Sequence, residues 1–339
     1  MKVPMKRFLM LWLAVSVLLS LPAFAQKQYK LVNTVKLGGE GGWDYLTYEE
    51  GANRLFITRG THVMVVDTTS LKQVADIPDL SGIHGVALVP AMNKGFISNG
   101  GDDSVTVFDL KTLKVTDKIK VGTRPDAILY EPFSKHVFTF NARSQDSTVI
   151  DAASGKVVAT IPLGGKPEFP ASDGKGKVFV NIEDKSELAV IDVKSNTATA
   201  HWPLKGCEEP SALAFDVAHG RLFSGCGNKI MAVTDAASGK VITTVPIGGG
   251  VDAGRFNPKT QEIFMSCGDG TLPVIHEDSP DKYAVKQTVA TARGARTMAL
   301  DADSSTVYLV TAQFGEKGPN DRRPPMIPGT FELLVVKPE

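Results

Sequence analysis

Along most of this chain, apolar and polar residues alternate with a period of two. The runs are short and bounded by Gly, Asp, Asn and Ser. That pattern predicts half-buried β-strands, not helices. Residues 125–162 show it clearly. DAILYE, HVFTF, STVID and KVVATI read as four strands, separated by the turn-forming EPFSK, SQD and AASG. Beyond the N-terminal segment, no stretch carries a convincing 3.6-residue period.

The four-strand unit repeats. A β-branched run ending in Asp recurs at Asp67, Asp109, Asp151, Asp192 and Asp235, at intervals of 42, 42, 41 and 43 residues. PVIH, ending at His276, is the sixth copy, and FELLVV, ending at Val336, is the seventh. An independent ladder of mid-strand aromatics runs through Phe56, Phe96, Phe138, Phe179, Phe223, Phe264 and Tyr308. Two ladders with one period predict an all-β, seven-bladed β-propeller with four antiparallel strands per blade. The last unit has no fourth strand after Glu339, and YKLVNTVKL at 29–37 has no first three before it. Residues 29–37 are therefore expected to complete blade seven and close the ring, hiding exposed strand edges. HEDSPD at 276–281 reads as a charged turn, and DADS at 301–304 as a turn that only imitates a calcium loop.

The N-terminus stands apart. Lys2, Lys6 and Arg7 precede an apolar run at 8–20, and Ala23-Phe24-Ala25 follows. These are the three parts of a secretory signal peptide, expected to span 1–25 and leave a single domain at 26–339. The expected location is periplasmic or secreted, with no membrane span after cleavage. Hydrophobic residues are 42% and charged residues 22% of the chain, which excludes a disordered or multi-span protein. Without residues 1–25, 34 basic residues face 37 acidic ones, a net charge of −3. Nucleic acid is accordingly not an expected partner. Of three cysteines, Cys207 and Cys226 flank adjacent strands and are the expected disulfide, leaving Cys267 free. No G-x-S-x-G, H-E-x-x-H, P-loop or G-x-G-x-x-G is present.

Aligning the repeats puts seven residues at the start of the first strand of each blade, the strand that lines a propeller's channel. They are Asp44, His84, Asp126, Glu168, Ser211, Asp252 and Arg296, with Glu209 in the loop just before Ser211. Hard oxygens with one imidazole suit a divalent cation such as Ca²⁺, Mg²⁺, Mn²⁺ or Zn²⁺, and Asp44, His84, Asp126, Glu168 and Asp252 are the candidate ligands. The competing reading is a wet polar funnel in which Arg296 balances Asp44 or Asp252. An insertion at 313–329, QFGEKGPNDRRPPMIPG, joins the second and third strands of the last blade. It is a candidate lid over that mouth, with Arg322 and Arg323 as anion-binding groups. Asn99, Asn141 and Asn181 end second strands, and their amides are expected to cap turns and satisfy backbone groups.

The segments RLFITRG, KGFISNG, KVFVN and RLFSG, paired with VVD, FD and VID, resemble the YVTN-type, YncE-like seven-bladed β-propellers of the bacterial periplasm. The resemblance covers 29–336 and is weakest at the insertion in the seventh unit. It implies the fold strongly and the activity weakly, since such propellers include lactonases, DNA-binding members and others without assigned chemistry. The leading expectation is an exported binding protein that recognises a small ligand, a cation or a partner protein at the channel mouth. The alternative is a metal-dependent, lactonase-like hydrolase using the same acidic ring, with Arg296 stabilising developing negative charge. Single-stranded DNA binding is a lesser alternative that the charge argues against.

Overall fold

The computed structural model describes residues 1, 28–318 and 324–339. The expected leader, apart from Met1, and Arg322 and Arg323 lie outside the described residues. The described residues form seven four-stranded antiparallel sheets arranged as a ring. Blades one to six span residues 46–77, 83–120, 125–162, 167–203, 210–246 and 251–290. Blade seven takes Met298–Asp301, Thr306–Thr311 and Glu332–Pro338 from one end of the chain and Tyr29–Lys36 from the other.

The ring closes as expected. Tyr29–Lys36 pairs antiparallel with Glu332–Pro338, from Tyr29 opposite Pro338 to Lys36 opposite Glu332. Gln28 and Glu339 exchange both backbone hydrogen bonds. The Tyr29 ring packs edge-on against Phe264, and its hydroxyl donates to Glu262 at 2.5 Å, tying the closing strand to blade six.

Each strand's composition follows from its place. The second and third strands are buried at almost every position and rich in apolar, β-branched and aromatic residues because both of their faces are covered by neighbouring blades. RLFIT and VMVVD are examples. The aromatic ladder is the centre of this packing, and all seven rings are buried. Phe56, Val65, Ile97 and Phe108 form one such inter-blade core, and Leu55, Leu333, Val335 and Phe331 another across the closure. The outermost strands are mostly solvent-facing, and in blades one to six their pairing slips by one residue at the same place, for example between Val65 and Val66 or Val149 and Ile150. Such a bulge bends and twists the outer strand away from its partner.

Two sequence expectations need revising. The strand Thr271–Ser279 runs through most of 276–281, so only Pro280 and Asp281 form the turn, and Glu277 is buried rather than solvated. Asn181 satisfies backbone groups as expected, but across the blades rather than at a turn. Its amide donates to the carbonyls of Ser211 and Ala212 in the next blade. Asn99 and Asn141 bond within their own blades, to Thr106 and Thr148 respectively. No helix among the described residues is long and apolar enough to cross a membrane.

Candidate functional site

The first strand of every blade faces the axis, so its opening residue faces one mouth of the channel. Asp44 precedes Leu46–Glu49, and Arg296 precedes Met298–Asp301. His84, Asp126, Glu168, Ser211 and Asp252 each stand second in their strands. Period-two alternation fixes which of them point inward.

Three of these side chains converge. His84 Nδ1 lies 2.6 Å from Asp44 Oδ2 and 3.5 Å from Asp126 Oδ1. One ligand atom from each of the three falls within 4.8 Å of the others. Gly100 makes room for the imidazole, since a Cβ there would sit 2.7 Å from His84 Nε2. Across the mouth, Arg296 Nε donates to Asp252 Oδ2 at 2.6 Å and its Nη2 lies 4.0 Å from Asp44. Ser211 Oγ donates to Asp252 Oδ1 at 2.9 Å. Ser211, Asp252, Arg296, Asp44, His84 and Asp126 therefore form a continuous polar arc.

Glu168 is the most buried member, with its side chain 9% exposed, and Lys166 holds it at 2.7 Å. Lys166 also reaches Glu183. Glu209 does not join. It sits in the left-handed region at φ 47°, exposed, with its carboxylate beside Gly227. The turn that forms just before the strand aims it along the rim, not into the mouth.

Burial dominates the electrostatics. It pushes the Asp126 carboxyl up to about 6, with His84 opposing and Asp44 and Asp252 reinforcing. Burial and the neighbouring Asp126 push Glu168 up to about 8 despite the Lys166 ammonium. For His84, burial works against the charge, but the Asp44 hydrogen bond and the Asp126 carboxylate outweigh it, and its pKa rises. The mouth is thus a place where negative charge is crowded and partly titrated by protons.

Two contributors were not anticipated. Lys166 stands just ahead of the strand Pro167–Ser172 and two residues before Glu168, a close opposite-charge spacing that was readable in the sequence. Tyr45 follows Asp44 and floors the mouth. It is buried, its ring meets Phe169 edge-on at 4.7 Å, and burial together with four surrounding carboxylates raises its pKa well above the usual tyrosine value.

The insertion lies on the same side. Its described parts form a small antiparallel turn, with Gly315 N donating to Pro325 O and Ile327 N to Gln313 O, both at 2.8 Å. Phe314 and Phe331 pack on Trp43. Beneath it, Trp43, Arg293, Arg296, Phe314 and Met326 border a cavity of about 440 Å³. Cys207 and Cys226 are joined by a disulfide with a Cα–Cα distance of 5.4 Å, and Cys267 is a buried free thiol.

Taken as a class, the molecule is a seven-bladed β-propeller with an acidic, histidine-bearing channel mouth. The chain matches no protein-family model and no curated protein sequence.

Proposed function

We propose that this protein is an exported binding propeller whose channel mouth holds a divalent cation between Asp44, His84 and Asp126. The observation that carries this reading is the convergence of two carboxylates and one imidazole nitrogen within 4.8 Å at the channel axis. That spacing suits ligand distances of about 2.0–2.6 Å to a shared ion. The donor set fits Mn²⁺ or Zn²⁺ better than a purely oxygen-seeking ion. Asp252 stands close enough to add charge, Glu168 adds its own once a bound cation displaces its proton, and Arg296 limits the excess. The signal-peptide pattern of residues 1–25 and the Cys207–Cys226 disulfide both support export into an oxidising compartment.

The test is metal analysis of untagged mature protein, followed by calorimetric titration of the metal-free form with Mn²⁺, Zn²⁺, Ca²⁺ and Mg²⁺. One equivalent bound, and lost in Asp126→Asn, supports the reading. An identical titration of wild type and variant overturns it.

One observation favours a second reading, a metal-dependent lactonase-like hydrolase. Glu168 holds a carboxyl poised near neutral pH, as a general acid or base requires. A bound divalent ion would supply Lewis acidity and an activated water. In this reading Glu168 takes or returns a proton and Arg296 faces developing negative charge. Lactone turnover that disappears with the metal and in Glu168→Gln would establish it. Metal binding without turnover across simple lactones and esters leaves the protein a binder.

A further inference from the structure

Below the acidic mouth the channel changes character. Tyr45 and Phe169 stand between the carboxylates and a second cavity of about 570 Å³. This lower cavity reaches the opposite face of the ring at Glu50 and Pro90, both exposed. Ile128, Leu213, Phe215 and Phe256 give it an apolar wall. Its size is in the range of small-molecule sites, about 300–1,000 Å³.

Arg255 is the one cationic side chain in that wall. Its situation differs from that of the other arginines with structured partners. Arg54 binds Glu49, Arg221 binds Asp235 and Asp281, and Arg296 binds Asp252. Arg59 donates to four backbone carbonyls. Arg255 makes a single hydrogen bond, Nη1 to the carbonyl of Gly254 at 2.8 Å, and stacks over the Phe169 ring at 5.0 Å. No carboxylate faces it. Of the two at the cavity rim, Glu49 is taken by Arg54, and Glu50 points to solvent. Burial lowers its pKa to about 10, which still leaves it cationic at neutral pH. A guanidinium with free donors, in an apolar cavity and without an anion, is matched by a ligand that brings the anion.

We propose that the lower channel binds a small organic monocarboxylate, its carboxylate on the Arg255 guanidinium and its apolar body against Phe215 and Phe256. Entry is from the face opposite the acidic mouth, so this site is separate from the cation site proposed above.

The probes are 2-naphthoate and its neutral isostere 2-naphthamide, titrated by calorimetry and by ligand-observed NMR. Wild type should prefer the carboxylate by about 10- to 100-fold, the range that a charged hydrogen-bond partner contributes. Arg255→Gln should lose that preference and Arg255→Lys should keep part of it. Asp126→Asn should leave it unchanged, which separates this site from the mouth. Melting temperatures of the variants close to wild type show that folding is intact. Equal affinity for the two probes, no binding of naphthoate at millimolar concentration, or an undiminished preference in a folded Arg255→Gln overturns the proposal.

Discussion

The repeated Asp that ends each third strand is a turn device. Asp67, Asp109, Asp151, Asp192 and Asp235 each accept from the backbone N–H and hydroxyl of a Ser or Thr three residues on. Those hydrogen bonds hold all five carboxyls below the usual range. The carboxyls of the mouth are displaced the other way, and the difference predicts a pH dependence. Native Glu168 keeps its proton from its ordinary 4.5 up to about 8, so the folded state binds more protons than the unfolded one in that window. Metal-free protein should therefore lose stability as pH rises through it. His84, whose pKa is also raised, contributes in the same direction. Thermal melts across that range should show the decline, and Glu168→Gln should flatten it. Added cation should restore stability at the alkaline end, where the carboxylates are free to bind it. Cys267, whose thiol burial pushes up to about 12, should resist alkylation until the protein unfolds.

At the scale of the element, the closing strand depends on a latch. Arg59 is fully buried, donates to the carbonyls of Gly38, Glu40, Gly41 and Gly42, and lies 3.6 Å over the Phe331 ring. It fastens the segment between the closing strand and blade one onto blade seven. Gly41, at φ +88°, lets the chain approach, since a Cβ there would fall 2.8 Å from the Arg59 carbonyl oxygen. Arg59→Met should cost about 2–4 kcal/mol by giving up the charge-assisted hydrogen bonds of a buried guanidinium to four backbone carbonyls, measured by denaturant unfolding. Deleting residues 26–37 should lower the melting temperature further and raise the hydrodynamic radius. The seven blades were legible because strand period, aromatic ladder and Asp turns all repeat with one spacing. The mouth positions were legible for the same reason. Their pairings were not, because register along a sequence does not say that His84 turns toward Asp44 rather than Arg296. Glu209 misled because a left-handed turn redirects it, and Arg255 drew no notice because it stands three residues past the ring position, at a place where the other blades carry Thr47, Ala87, Leu129, Ala171, Ala214 and Ala299 opposite the aromatic ladder.

For the whole molecule, stability is distributed around the ring and supplemented by one covalent link. The Cys207–Cys226 disulfide spans a sequence separation of 19, and Cys207→Ser with Cys226→Ser should cost about 3 kcal/mol by unfolding assays. Mass analysis under non-reducing conditions should show one disulfide and one thiol. Closure has a consequence in time as well as in space. Lys30 meets Glu339 across 309 positions of sequence, so a strand near the start of the polypeptide has no partner until more than three hundred further residues have been made. Every blade but one can assemble from its own neighbours as they emerge. The seventh cannot, and contacts between distant segments form slowly. The unpaired edge is thus presented to the surroundings throughout synthesis. Fusing Tyr29–Lys36 after Glu339 by circular permutation would make that last blade local, and should speed refolding while leaving the finished ring unchanged.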